Sequence, residues 1–346
     1  MIRFECDYTE GCIPEILEAI AKENRTQLCG YSEDPVCDKA RAKIKALCGN
    51  EDVDVHFLGG GTQTNTTVIA AALRPYQGVI SVDAGHINCH ETGAIEATGH
   101  KVLPIFNKTG RLTAAQIRNY CAAHWNDATH EHIVQPAMVY LSHPAENGTL
   151  YSLQELTEIR KACDEWNLTL FVDGARLGYA LASAVNDVSI QDLARLTDAF
   201  YIGGTKCGAL MGEAVVIRNK ALKKDFRYMI KRQGGMLAKG WLLGVQFDTL
   251  LENDRYLHVC KHAVDQALRI KEAFEQKGCK FLIESHTNQQ FPILHKDILK
   301  KFDENYTYSV WQHMDKDHTA VRFCTSWATT KEQVDQLILD IERFLN

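Results

Sequence analysis

Two short apolar runs, each halted by a functional group, constrain this chain more than any other feature. Leu168-Thr-Leu-Phe-Val-Asp-Gly-Ala-Arg176 ends its run at Asp173, with Arg176 three residues on. Phe200-Tyr-Ile-Gly-Gly-Thr-Lys206 ends at Lys206, set among Gly203, Gly204 and Gly208. Runs of this length and character read as buried strands of a parallel sheet. Ligands of open α/β sheets gather at the carboxyl ends of such strands. Taken singly, an Asp-Gly pair is a common turn and a lysine beside glycines is a common solvated loop residue. Taken together, they supply what a pyridoxal phosphate site requires. The lysine can form a Schiff base, and the carboxylate can keep a pyridine nitrogen protonated.

The rest of the chain fits an α/β frame around these runs. Val53–Leu58, Val79–Val82, Lys101–Ile105, Met138–Leu141, Leu168–Val172, Phe200–Ile202 and Ala214–Ile217 read as strands. Helical stretches alternate with them, which predicts a mostly parallel sheet flanked by helices. One helix opens on the capping box Ser152-Leu-Gln-Glu155 and carries Leu156, Ile159, Cys163 and Trp166 on one face. After about residue 245 the pattern changes. A helix near Val259–Phe274 leads to short strands at Lys280–Ile283, Phe291–Leu294, Tyr308–His313 and Ala320–Thr325, and a last helix starts at Thr330 with Gln333 as capping partner. The expected division is an N-terminal segment over residues 1–16, a large α/β domain over 17–248 and a small α+β domain over 249–346.

With 346 residues the chain can bury a large core. Its formal charge of −6 gives no reason to expect nucleic acid or an anionic membrane as a partner. No apolar run reaches the roughly 18 residues of a membrane span. The start lacks the basic and apolar regions of a signal peptide. The 12 cysteines are scattered, without a CxxC pair. They read as free thiols in a reducing compartment, the cytoplasm. His86-Ile-Asn-Cys89-His90 is the nearest approach to a metal motif, but no second ligand cluster accompanies it, so no metal is expected.

Gly59-Gly-Gly-Thr-Gln-Thr-Asn65 follows the first strand and opens a helix, whose N-terminal amides suit a phosphate monoester. A plain glycine turn is the alternative. The spacing matches neither the dinucleotide fingerprint nor the P-loop. His86 follows the second strand and could stack on a flat cofactor. His143 follows the fourth, where a general base could reach substrate. Arg322 interrupts the apolar strand Ala-Val-Arg-Phe-Cys. Its fork suits a substrate carboxylate, and an internal salt bridge is the alternative.

In order along the chain, Cys6-Asp-Tyr8, Tyr31-Ser-Glu-Asp-Pro35, Gly60-Gly-Thr-Gln-Thr-Asn65, Gly85-His-Ile-Asn-Cys-His-Glu-Thr-Gly93, Val172-Asp-Gly-Ala-Arg-Leu177, Gly204-Thr-Lys206 and Val321-Arg322 occur. This set resembles the low-specificity L-threonine aldolases, in the β-eliminating-lyase branch of fold type I of the pyridoxal phosphate enzymes, the aspartate-aminotransferase fold. The resemblance runs from residue 4 to about residue 345. It implies that Lys206 bonds the cofactor, Asp173 pairs with the pyridine nitrogen and His86 stacks on the ring. It further implies that Gly60, Gly61, Thr62 and Thr205 hold the phosphate. Arg176 would lie near the cofactor and the substrate carboxylate, Arg322 would bind that carboxylate, and Cys6 and Tyr31 would complete the substrate site. His143 would be the base, with an ordered water as its rival.

Three positions depart from the family pattern. Cys6 replaces a serine, His143 is displaced by one residue, and Leu237 stands where a subunit-crossing arginine is expected, with Lys239 two residues on. The implied activity is cleavage of L-threonine or L-allo-threonine to glycine and an aldehyde, in a homodimer or homotetramer with shared sites. β-Elimination or racemisation on the same fold is the nearest alternative. The Asp173–Lys206 pair argues against a cofactor-free binding protein. The missing glycine fingerprint argues against a nicotinamide dehydrogenase.

Overall fold

The computed structural model describes residues 1–345. Its centre is a seven-stranded sheet built from β1 (Asp54–Leu58), β2 (Gln77–Val82), β3 (Lys101–Ile105), β4 (Gln135–Ser142), β5 (Thr169–Asp173), β6 (Ala199–Gly203) and β7 (Glu213–Ile217). The spatial order is β1-β7-β6-β5-β4-β2-β3. Only β7 runs antiparallel to its neighbours; the pairs from β6 to β3 are all parallel. The apolar runs form strands because both faces of the sheet are covered. Leu170, Val172, Phe200 and Ile202 pack into one layer. Phe171, Tyr140, Ala199 and Tyr201 pack into the layer on the other face. This alternation decides which side chains can reach Asp173, the last residue of β5.

The flanking helices begin and end where local chemistry tells them to. The helix Leu153–Glu165 carries the expected reciprocal box, Ser152 with Glu155, whose cap contributes about 1 kcal/mol. The helix Pro35–Cys48 is capped by Asp34, which accepts from the amides of Val36 and Cys37, and stops at Gly49 in the left-handed region. No helix among the described residues is long and apolar enough to cross a membrane.

The long helix Arg255–Gln276 leads into the smaller layer. There, β8 (Gln289–Gln290), β9 (Ile293–His295) and β10 (Ser309–His313) all pair antiparallel with β11 (His318–Cys324). The helix Lys331–Phe344 has the expected box between Thr330 and Gln333. Two expectations need correction. The stretch Lys280–Ile283 is not a strand; it contributes one isolated bridge, Phe281 to Pro292. Phe291–Leu294 is broken at Pro292, which has no N–H for a ladder, so β8 and β9 are separate pieces.

The N-terminus belongs physically with the smaller layer. Phe4 packs with Phe274, Phe302 and Phe323, and Ile2–Arg3 pairs with Tyr306–Thr307. A buried ion pair fastens this segment to the main sheet. Arg176 donates through Nε and Nη2 to the two oxygens of Asp7, at 2.7 and 2.9 Å, and Asn288 adds a bond to Asp7 at 3.0 Å. Burial alone would raise the Asp7 pKa, but Arg176, Lys206 and Asn288 outweigh it and hold it down to about 2. Stability from this group is therefore complete above the ordinary aspartate range and is lost as pH falls from about 3.8 toward 2. Asp7→Asn takes away the two-pronged partner of buried Arg176 and leaves only the Glu146 contact at 4.0 Å. Urea unfolding at neutral pH should show a loss of about 3–5 kcal/mol. A loss below about 1 kcal/mol, the range of exposed pairs, would contradict this role for the pair.

Candidate active site

The carboxyl ends of β5 and β6 open onto a cavity of about 560 Å³ whose walls include Tyr8, His86, His90, Glu146, Arg176, Lys206, Trp311 and Arg322. Lys206 sits three residues beyond β6 on a turn that is held at several points. Tyr179 donates to the Lys206 carbonyl, and Tyr256 donates to the Gly203 carbonyl at 2.9 Å. Gly203 and Gly204 are required because a Cβ on either would meet backbone oxygens at 2.3 and 2.7 Å. The lysine amine lies 5.9 Å from the centroid of the Tyr8 ring.

Asp173, three residues before the cavity-lining Arg176, is buried and hydrogen-bonded at both oxygens. It accepts from Tyr140 at 2.6 Å, from Asn65 at 3.1 Å and from the Ala175 amide at 2.9 Å. Burial raises its pKa, but the charge of His86, the bonds from Tyr140 and Ala175 and the nearby Tyr201 hydroxyl outweigh burial, and the net shift is downward. The group is thus a carboxylate. Asn65 is the fifth residue of the helix Gly61–Ala72, so the glycine-led helix and the aspartate are fixed to each other. The same Asn65 amide donates to Glu91 at 2.8 Å, and Glu91 also holds His86 Nδ1 at 2.8 Å. A carboxylate only accepts, so Nδ1 carries the hydrogen, and when the ring is neutral Nε2 is left as the free acceptor. Burial would lower the His86 pKa, yet Glu91, Glu146 and Asp173 raise it overall.

Arg322 is half-buried and holds only neutral acceptors: Gln289 at 3.1 Å, the Glu5 carbonyl at 2.7 Å and Ser309 at 3.3 Å. Trp311 lies 5.5 Å beneath its guanidinium. Among the described residues no carboxylate reaches ion-pair distance of it, and its Nε has no acceptor. The alternative of an internal salt bridge therefore fails for Arg322. It applies to Arg176 instead, whose charge is spent on Asp7, with Glu146 a further 4.0 Å contact. Arg176 lines the cavity but has no free fork for a substrate carboxylate.

The structure does not bring every expected residue together. His143 is fully buried away from the cavity. Tyr140 and Ser142 share the Asp173 face of the strand, and side chains alternate, so the next residue points to the other face. There its ring lies 6.4 Å from Tyr151, and neither nitrogen has a well-formed hydrogen bond. Burial pushes its pKa down to about 4, against weak support from Asn186 and Asp187. Cys6 is half-buried near Arg322 but outside the cavity wall, and burial pushes its thiol up. Tyr31 packs elsewhere: its amide bonds the Ala238 carbonyl at 3.2 Å and its ring faces Lys231. Lys239 is exposed beside that segment. Gly60, Gly61, Thr62 and Thr205 are all at least partly accessible at the helix end and the lysine turn.

Asn65, Tyr140, Glu91 and Tyr201 were not among the residues expected from sequence. Tyr140 and Tyr201, each a hydroxyl inside a strand, were the available signals, since a buried Tyr hydroxyl needs a partner. Pyridoxal phosphate fits what is present. Tyr201 Oη and Asn65 Oδ1 are buried without a full hydrogen bond, and a Cβ on Gly61 would come within 3.2 Å of the Tyr201 hydroxyl. Asp173, Lys206 and the helix end would offer partners to the nitrogen, aldehyde and phosphate of that group.

The family model described as beta-eliminating lyase matches residues 6–297. A low specificity L-threonine aldolase of Pseudomonas aeruginosa is 29% identical over 98% of this chain and 96% of its own length. A solved threonine aldolase of Leishmania major is 42% identical, covers 100% of both chains and superposes with a TM-score of 0.97. Aspartate aminotransferase of Thermus thermophilus, at 13% identity and a TM-score of 0.72, covers 99% of this chain and 91% of its own and shares the fold.

His143→Phe tests the placement of that ring. Cleavage activity should stay close to the parent's, far from the roughly 10²–10⁴-fold loss expected of a general base, because the ring lies outside the cavity. The parent loses stability as pH falls from about 6.5 to 4, since the buried neutral ring must be charged on unfolding. The variant should lose less over that window in thermal melts. A tenfold drop in turnover with an unchanged acid profile would return His143 to the reaction.

Proposed function

The chain belongs to the beta-eliminating lyase family, and from that premise we propose that it is a pyridoxal-phosphate-dependent aldolase. It cleaves the Cα–Cβ bond of a β-hydroxy-α-amino acid, L-threonine or L-allo-threonine, to glycine and an aldehyde. The observation that carries this reading is the convergence of Lys206, a charged Asp173 beneath it and an Arg322 free of carboxylates at one cavity. The threonine aldolases it resembles along its whole length support the choice of reaction.

The cofactor, when bound, supplies the sink for the electrons of the breaking bond. Lys206 would anchor it, Gly60, Gly61, Thr62 and Thr205 would hold its phosphate, and Asp173 would keep its nitrogen protonated. Arg322 receives the substrate carboxylate through its planar fork, on the platform of Trp311. With His143 on the far face of the strand, the proton of the β-hydroxyl goes to the cavity histidine that is aimed by a carboxylate. His86 presents Nε2 because Glu91 fixes Nδ1. His90, 5.7 Å away ring to ring, is the second candidate. Tyr31 and Lys239, remote from this cavity within one chain, would serve the site of a second copy in a homodimer or dimer of dimers. The 12 unpaired cysteines suit the reducing conditions of the cytoplasm.

Lys206→Ala should abolish turnover and the visible absorbance of bound cofactor; borohydride trapping of the cofactor on another lysine would overturn the assignment. Products decide the reaction. Glycine and acetaldehyde from threonine support cleavage, whereas ammonia and a keto acid would mean elimination. Arg322→Lys keeps the charge but loses the fork, so KM should rise at least tenfold, roughly the 1.4 kcal/mol of a charge-assisted hydrogen bond, with cofactor absorbance unchanged. Glu91→Gln removes a group that raises the His86 pKa. The acid limb of the kcat/KM profile should therefore move to lower pH; an unmoved limb would take His86 out of the proton transfer.

A further inference from the structure

Glu213, the first residue of β7, is a buried acid that the reaction as derived does not use. One oxygen accepts the Thr205 hydroxyl at 2.8 Å, and the other faces the Gly204 amide at 3.3 Å. The Gly212 amide donates to the same Thr205 oxygen at 3.0 Å. Among the described residues no cation forms an ion pair with Glu213. The ionisable groups around it are Lys206 on the adjoining turn, Asp173 on β5, Tyr201 on β6 and Tyr256 on the helix Arg255–Gln276. Burial is the largest influence and raises its pKa to about 8, although Thr205, Lys206 and Gly204 pull it down while Asp173 adds to the rise.

A threonine hydroxyl has one hydrogen to give and two lone pairs to receive. When Glu213 is a carboxylate, Thr205 spends its hydrogen on it, and Gly212 fills one lone pair. When Glu213 is protonated, it can donate to the second lone pair, and the Thr205 hydrogen, whose other protein acceptor is the Gly212 carbonyl at a long 3.5 Å, can turn toward the half-exposed side of the residue. Resting on the reading of Thr205 as a phosphate ligand, we propose that Glu213 is a positioning residue whose proton lets Thr205 donate to the cofactor phosphate. The proton also removes a negative charge from behind a dianion. Rising pH, by ionising Glu213, then takes away a donor and adds a repulsion, so affinity for the phosphate-bearing cofactor falls.

The test is the affinity of the full chain, freed of cofactor, for pyridoxamine 5′-phosphate, which cannot bond covalently to Lys206. Wild type should lose about tenfold between pH about 8 and about 9.5, as one linked proton demands. Glu213→Gln is a permanent donor without charge and should hold its affinity over that range. Calorimetry near pH 9 in buffers of different ionisation enthalpy should show wild type taking up close to one proton more than the variant. Thr205→Val, a second route should Glu213→Gln not fold, should bind weakly at pH 7 and lose most of the pH dependence. Parallel pH profiles and equal proton uptake in wild type and Glu213→Gln would overturn the proposal, as would a wild-type slope in Thr205→Val. Failure of every variant and of wild type to bind at any pH is a different result: it would refute the cofactor reading itself, and this proposal with it.

Discussion

A buried carboxylate must be surrounded by donors or neutralise itself, and the site of this chain is organised around meeting that demand at Asp173. Tyr140, Asn65 and the Ala175 amide supply hydrogen bonds, and the field of His86 adds positive charge. Each donor comes from a different element, so satisfying one carboxylate also fixes the positions of β4, the helix after β1 and the turn after β5. Asn65 is the joint of this arrangement. Its single amide group spans Asp173 and Glu91, and through Glu91 it sets the orientation of His86. The glycine-led helix, Asp173 and His86 are thereby held as one unit.

Charge is divided with equal economy among the arginines. Arg176 is saturated by Asp7 and serves to fasten the N-terminal segment and the Asn288 loop to the sheet. Arg322 has only neutral partners, so its charge is not offset by any carboxylate among the described residues. Two arginines near one cavity thus take different work because one has a buried aspartate within reach and the other has none.

Much of this was legible in the sequence, for physical reasons that differ by residue. The strands β4 to β6 announced themselves because a sheet covered on both faces needs continuous apolar runs, and a break in such a run marks the ligand end. Ser152 with Glu155, and Thr330 with Gln333, marked helix starts because capping is local. What escaped was whatever depended on partners distant in the chain. The Asp7–Arg176 pair joins residues 169 positions apart in the chain, and no local pattern distinguishes a paired arginine from a free one. His143 shows how a one-residue shift decides a role. It stands in the right loop, but the alternation of an extended segment turns its ring to the face opposite Asp173, where burial keeps it neutral. Lys280–Ile283 had strand composition, yet beyond the single Phe281–Pro292 bridge it found no ladder, and composition alone cannot supply one.

The central claim is that Asp173, charged and hydrogen-bonded at the end of β5, would hold a proton on the cofactor's ring nitrogen. Nitrogen-15 NMR of the protein reconstituted with labelled pyridoxal phosphate reads that proton directly. The account predicts a protonated nitrogen across the neutral range in the parent and an unprotonated one in Asp173→Asn. An unprotonated nitrogen in the parent, or the same protonated signal in both proteins, would contradict it.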